Sequence, residues 1–158
     1  MTIAGTIKAY LERQGIHYDT VVHPHTTSSL LTAETAHIDP RRIAKGVVLK
    51  DKQGYLLAVL PASRELDLHI LENQIARRMA LANEEELRGL FPDCQLGAVP
   101  ALGPAYGLQT IVDESLATQP EICFEAGNHE ELIRVSEQGF ERLMGNSEFE
   151  YFSHRLDL

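Results

Sequence analysis

The chain of 158 residues has no tryptophan, two cysteines and three methionines, and only 6% of it is aromatic. Two cysteines, Cys94 and Cys123, make neither a disulfide framework nor a zinc site, so a reducing cytoplasm is the expected compartment. No apolar run approaches the ~20 residues that cross a bilayer, and Met1-Thr2-Ile3-Ala4-Gly5 lacks a secretory-signal pattern, so no membrane partner is expected. Cations are scarce as well: 14 Lys and Arg stand against 23 Asp and Glu, a formal charge of −9. That balance argues against a general polyanion binder, because phosphate contacts supply most non-specific nucleic-acid affinity. It leaves room for a local patch. Arg41, Arg42, Lys45, Lys50 and Lys52 lie close together, opposed only by Asp51, and Arg77 and Arg78 form a second small cluster. The same residues also read as a solvated face of scattered salt bridges.

Several catalytic signatures are missing too. Ser63 and Ser115 lack the Gly-x-Ser-x-Gly context of an esterase elbow, and Gly5, Gly54 and Gly107 match neither a P-loop nor a dinucleotide fingerprint. His23 and His25 have no third ligand at recognisable spacing, so neither a metal nor another cofactor is expected. Neither cysteine sits in a thiolate-activating motif, and Cys123, between Ile122 and Phe124, reads as core.

What is present is ordinary globular composition, 44% hydrophobic and 23% charged, expected to form a single domain over residues 1–158. Ile3 to Gln14 has helical spacing and Gly15 supplies a stop; Tyr18 to His23 reads as a strand. Ser28 or Ser29 caps a helix to about His37, which Asp39-Pro40 ends before a strand over 43–50. Asp51-Lys52-Gln53-Gly54 is a hairpin turn returning through Tyr55 to Leu60. Asp67 caps a helix carrying Leu68, Leu71, Ile75 and Met79 on one face, and Asn83 starts a short helix rich in glutamate. A Gly/Pro loop leads to a strand near Leu108 to Val112. Glu121 to Glu125 and Glu131 to Val135 form a hairpin, and Ser136 starts a helix to about Met144. The tail, Gly145 to Leu158, is expected to drape over the domain or to join a homodimer contact. Several strand connections are too short for parallel crossovers, so the pattern points to α/β with a mixed sheet.

Two segments carry chemistry. In Arg42-Ile43-Ala44-Lys45-Gly46-Val47-Val48-Leu49 a lysine begins an apolar strand, where it either snorkels to water or serves as a fixed cation in a pocket. Phe91 to Pro104 is a long Gly/Pro loop of the kind that presents backbone N–H groups to a ligand; the plainer reading is a loop that reverses the chain.

Together these segments resemble the YbaK/prolyl-tRNA synthetase-associated editing-domain family, whose members hydrolyse amino acids wrongly attached to tRNA. The resemblance rests on Ile43-Ala44-Lys45, Leu57-Ala58-Val59-Leu60-Pro61, the loop from Gly97 to Gly103, Val112-Asp113-Glu114-Ser115-Leu116 and Ala126-Gly127-Asn128-His129, and runs from about residue 20 to 145. One departure stands out. If Gly97 opens the family's GxxxP loop, Ala101 occupies the proline position and Pro100 falls one residue early.

The resemblance implies a curved, barrel-like mixed sheet with helices around it, and a deacylase acting in trans on mischarged tRNA, with tRNA for proline the first candidate. Its partners would be the acceptor end of that tRNA and a prolyl-tRNA synthetase. It implies that Gly97 and Ala98 face the ester as oxyanion donors, with Val99, Pro100 and Gly103 in the same loop, and that Lys45 is a fixed positive donor. Pocket residues are expected at His129 and Gly127, and His23, Thr27 and Ser28 would line a wall. Asp113 orients the lysine or an ammonium, or else caps the following turn. A non-catalytic module holding an aminoacyl or nucleotide ligand is the rival reading, and a small-molecule ester hydrolase the third.

Overall fold

The computed structural model describes residues 3–156; Met1, Thr2, Asp157 and Leu158 lie outside the described residues. Helix α1 (Gly5–Gln14) ends where Gly15 turns left-handed at φ 63°. Strand β1 (Asp19–Val22) is followed by α2 (Ser29–Ala36), whose Ser28 hydroxyl accepts from the Leu31 N–H. A 3-10 turn, Pro40–Arg42, leads into the hairpin of β2 (Ile43–Asp51) and β3 (Gly54–Pro61). Then come β4 (Arg64–Leu66), α3 (Leu68–Ile75), β5 (Ala80–Leu81) and α4 (Glu84–Leu90). Asn83 and Glu86 close a reciprocal capping box at the start of α4. After the Gly/Pro loop lie β6 (Gln109–Asp113), β7 (Glu121–Glu125), β8 (Glu131–Ser136), α5 (Glu137–Met144), β9 (Glu148–Glu150) and β10 (Ser153–Arg155).

Eight strands form a mixed sheet in the order β1-β8-β7-β2-β3-β6-β9, with β5 added to β2. The pairs β2–β7, β3–β6 and β6–β9 are parallel and the others antiparallel, while β4 and β10 make a separate antiparallel pair. The central strands are buried on both faces, which is why Leu56 to Leu60 reads as an unbroken apolar run. Leu57, Val59, Val112, Ile122, Phe124 and Val135 face a core closed by α1 and α5. Leu49, Leu56, Ala58, Leu60 and Ile111 face a second core closed by Leu71 of α3 and by Phe152. A third, smaller cluster joins Ala33 of α2 to Ile43, Ala62, Cys123 and Leu132.

Two expectations change. Met79 is not on α3: Ala76 adopts φ 56° and ends the helix at Ile75. Met79 still reaches the second core, and its N–H donates to Glu72 Oε2 at 2.9 Å. The tail is woven in: β9 extends the sheet beside β6, β10 pairs with β4, and Phe152 is fully buried.

The sheet has a gap. On the side of β2 away from β3, β7 pairs only at Ile43 and Ala44, and β5 only at Leu49 and Lys50. Residues 45–48 therefore have no strand neighbour there among the described residues, and a cavity opens at that gap.

Candidate active site

The cavity has a volume of about 270 Å³, slightly below the roughly 300–1,000 Å³ of drug-sized sites. Its β2 side is Ile43, Ala44, Lys45 and Gly46; its α2 side is Thr26, Thr27, Ser28, Ser29 and Thr32. Gly97 and Val99 of the Gly/Pro loop, Leu87 of α4, and Glu125, His129 and Leu132 complete it. The hydroxyl wall exists because the Ala33 cluster seats α2 with its N-terminus at the gap. The Thr26 and Thr32 hydroxyls hydrogen-bond each other, and Thr32 also donates to the Ser28 carbonyl.

The Gly/Pro loop and the Ala126-to-His129 turn are stitched together. Gln95 N–H donates to the Gly127 carbonyl at 2.8 Å, and His129 Nε2 lies 2.7 Å from the Leu96 carbonyl oxygen. That carbonyl only accepts, so Nε2 carries the proton and Nδ1 is the acceptor of the neutral ring. Gly127, at φ 101°, permits the close approach, since a Cβ there would sit 3.0 Å from Cys94 Sγ and 3.1 Å from Ala4 Cβ. Gly97 is left-handed at φ 83°. The N–H groups of Gly97 and Val99 have no hydrogen-bond partner among the described residues. Two main-chain donors are thus available on residues that line the cavity, an arrangement able to hold an oxyanion.

Alternation along β2 sends neighbouring side chains to opposite faces. A Cβ on Gly46 would lie 2.9 Å from Leu57 Cδ1 and 3.5 Å from Val99 Cγ1, so position 46 faces the loop and a side chain there would narrow the cavity. Lys45 leaves β2 from the other face and flanks the same cavity. Burial pushes its pKa down, opposed by the negative charge of Glu65 on β4. Lys45 makes no ion pair with a described residue, unlike most of its basic neighbours. Arg41 pairs with Asp39 at 2.6 Å, Lys50 with Glu86 at 2.6 Å and Arg77 with Asp51 at 2.6 Å. The basic cluster is thus largely spent on salt bridges, and Lys45 stands apart from it.

Of the residues singled out in the sequence, Lys45, Gly97, Val99, Thr27, Ser28 and His129 line the cavity together. Six others do not. Ala98 is buried and its N–H donates to the Gln95 carbonyl at 3.0 Å, so the N–H left without a described partner next to Gly97 in the cavity lining is that of Val99. Pro100 and Ala101 are buried, Ala101 in the main core. Gly103 packs on β6, where a Cβ would collide with Thr110 Oγ1 at 1.9 Å. Asp113 is fully buried and caps: Oδ1 accepts from the Ser115 N–H and Oδ2 from the Phe152 N–H at 3.1 Å, which leaves it no part in orienting Lys45. Gly127 serves the stitch described above. His23 is buried, with Nδ1 2.7 Å from the Pro24 carbonyl and Nε2 without a partner among the described residues. His25, its sequence neighbour, lies against the His129 ring at 4.9 Å between centroids.

Sequence reading missed Glu125, Thr32, Leu87 and Gly46. Gly46 left a signal, a glycine inside an otherwise apolar strand. Burial pushes the thiols of Cys94 and Cys123 up, to about 12 and about 11, so neither is an activated nucleophile. Among the described residues no group of three His, Cys, Asp or Glu side chains is placed to hold a metal ion, and no helix is long and apolar enough to cross a membrane.

The family model described as the aminoacyl-tRNA editing domain matches residues 23–143. A structure described as a candidate trans-editing enzyme for prolyl-tRNA synthetase superposes with a TM-score of 0.83 at 24% identity, covering 96% of each chain. The hypothetical protein APE2540 gives 0.81 at 17% identity, over 94% of this chain and 99% of that one. A structure described as a candidate signal transduction protein from Marinobacter aquaeolei gives 0.76 at 20% identity, over 94% of this chain and 30% of that one. No curated protein matches the sequence.

Proposed function

The chain belongs to the aminoacyl-tRNA editing domain family, and from that premise we propose that it is a deacylase that hydrolyses the ester of mischarged tRNA in trans. The observation that carries the reading is the pair of unpartnered N–H groups on Gly97 and Val99, on the same small cavity as the half-buried cation of Lys45. In the proposed reaction the ester carbonyl sits at the loop. Water forms a bond to the carbonyl carbon, and the growing negative charge on the carbonyl oxygen is held by the two amides. The carbonyl then re-forms as the carbon–oxygen bond to the ribose breaks, and the released ribose oxygen takes up the proton that the water gave up. A comparable donor elsewhere contributes roughly 10²–10³ in rate. Lys45 supplies a fixed positive charge to the carbonyl or to the terminal phosphate. The ribose hydroxyl of the substrate activates the water, so the cavity needs no protein base.

Mischarged tRNA for proline is the proposed substrate, supported by the description of one structural neighbour. Editing of this kind answers a physical limit, since a hydrophobic pocket separates one methylene by only about 1–3 kcal/mol. Deacylation of a panel of mischarged tRNAs by wild type and Lys45→Ala tests the proposal. Turnover by wild type that is lost in a folded variant supports it. Saturable binding without turnover replaces it with a binding module, and hydrolysis of free amino-acid esters with indifference to tRNA replaces it with a small-molecule esterase.

A further inference from the structure

Glu125 ends β7 at the point where β7 parts from β2, and it lines the cavity. Its Oε1 accepts from three successive main-chain donors, the N–H groups of Gly127, Asn128 and His129, at 3.3, 3.3 and 2.9 Å. Those bonds fix the carboxylate and leave Oε2 with no hydrogen bond from a described residue. Glu125 also belongs to no ion pair among the described residues. Among the described residues that line this cavity it is the only carboxylate.

A fixed carboxylate with a spare oxygen and no cation is half of a charge-assisted pair. The other half is supplied by an aminoacyl ester, which carries an ammonium group on the carbon next to its carbonyl. We infer that Glu125 binds the α-ammonium of the aminoacyl group, so that the site acts on esters with a free amino group and rejects those whose nitrogen is acylated; this rests on the deacylase reading above. The selection has a use. An editing site that took any ester of tRNA would also cleave peptidyl-tRNA, in which the same nitrogen is an amide. An acyl group removes the positive charge and sets the half-buried Glu125 carboxylate against a neutral amide, so the charge-assisted pair is lost.

The test compares tRNA carrying one mischarged amino acid with the same tRNA after N-acetylation of that amino acid, for wild type and Glu125→Gln. Glutamine keeps a carbonyl oxygen for the three turn amides while removing the charge. The expected result is a wild-type preference for the free amine of roughly 10- to 100-fold in kcat/KM, the span of a hydrogen bond to a charged group. In Glu125→Gln that ratio falls to near one, through loss of the free-amine rate. Equal wild-type rates on both substrates overturn the inference whatever the variant does, and so does a variant that slows both equally, which marks Glu125 as a structural support of the turn. A wild type that hydrolyses neither substrate overturns the deacylase reading instead. The amine requirement is then read from binding of an amide-linked aminoacyl adenosine, free or N-acetylated, and equal affinities overturn it.

Discussion

His129 reaches across 2.7 Å to the carbonyl oxygen of Leu96, so the turn after β7 holds the residue that immediately precedes Gly97. The ring is buried and the backbone at His129 is left-handed, at φ 63°. Asparagine tolerates that backbone but cannot reproduce the reach of the ring. His129→Asn is therefore expected to cost about 1 kcal/mol of stability for the lost hydrogen bond. It should lower kcat roughly tenfold or more, with a smaller change in KM, because a loosened Gly97 amide is no longer aimed at the transition state. Urea denaturation and steady-state deacylation read both effects. Unchanged kcat would show that the bond from Gln95 to Gly127 alone positions the loop.

Gly103 separates packing from recognition. An added Cβ would meet Thr110 Oγ1 at 1.9 Å, Thr110 Cβ at 3.1 Å and Leu57 Cδ2 at 3.2 Å, on strands that cannot easily part. Gly103→Ala is expected to destabilise by about 1–3 kcal/mol through overpacking. Its folded fraction should keep wild-type KM, since residue 103 lies outside the cavity. A thermal melt paired with KM decides, and a raised KM at full folding would restore Gly103 to the binding site.

Much of the fold was legible because it follows periodicity and punctuation. Ser28, Asp67, Asn83 and Ser136 cap the helices they were expected to cap, and the β2–β3 hairpin closes through Lys52 and Gln53. The small strands β4, β5, β9 and β10 carried no such signal, because two or three residues give no period and their pairing depends on distant partners. The site divides in the same way. Lys45 and the Gly/Pro loop announce themselves by chemistry that is odd for their surroundings. Ala98 could not be told from Val99, because which amide in a loop is left without a partner depends on one local bond, here from Ala98 to the Gln95 carbonyl. Glu125 carried no signal beyond its place at the end of a strand, because its position at the cavity depends on the turn beyond it folding back onto its carboxylate.

Lys45 is expected to trade stability for function. Its pKa lies below the ordinary lysine value, first because burial disfavours the charged form. The unfolded chain then binds the proton more tightly than the fold does. The cost of the charge is fully present at neutral pH and fades as pH rises through the folded pKa toward the unfolded one. Lys45→Met removes the charge and keeps the stem, so its melting temperature at pH 7 should match or exceed that of wild type while deacylation is lost. Calorimetry beside an activity assay checks this. A clear drop in melting temperature would mean that attraction to Glu65 outweighs burial.

Acid should loosen the wall that α4 contributes. Glu86 accepts from Lys50 Nζ at 2.6 Å, from the Asn83 N–H at 3.1 Å and from the Tyr55 hydroxyl at 2.7 Å, and its carboxyl is held down at about 2, chiefly by the Lys50 bond. Asp51, bonded twice by Arg77, is likewise held at about 2. Both folded values lie below the unfolded ones near 4, so the stability they contribute is complete above about pH 5 and drains away as pH falls toward 2. Leu87, the next residue on α4, lines the cavity, so the link from Glu86 to β2 and β3 also holds the site in shape. Glu86→Gln should melt below wild type at pH 7, and the two curves of melting temperature against pH should converge by about pH 2. Curves that stay parallel down to that pH would mean the neutral amide loses packing rather than charge, and the acid sensitivity of the fold would then have to lie with Asp51 and Arg77.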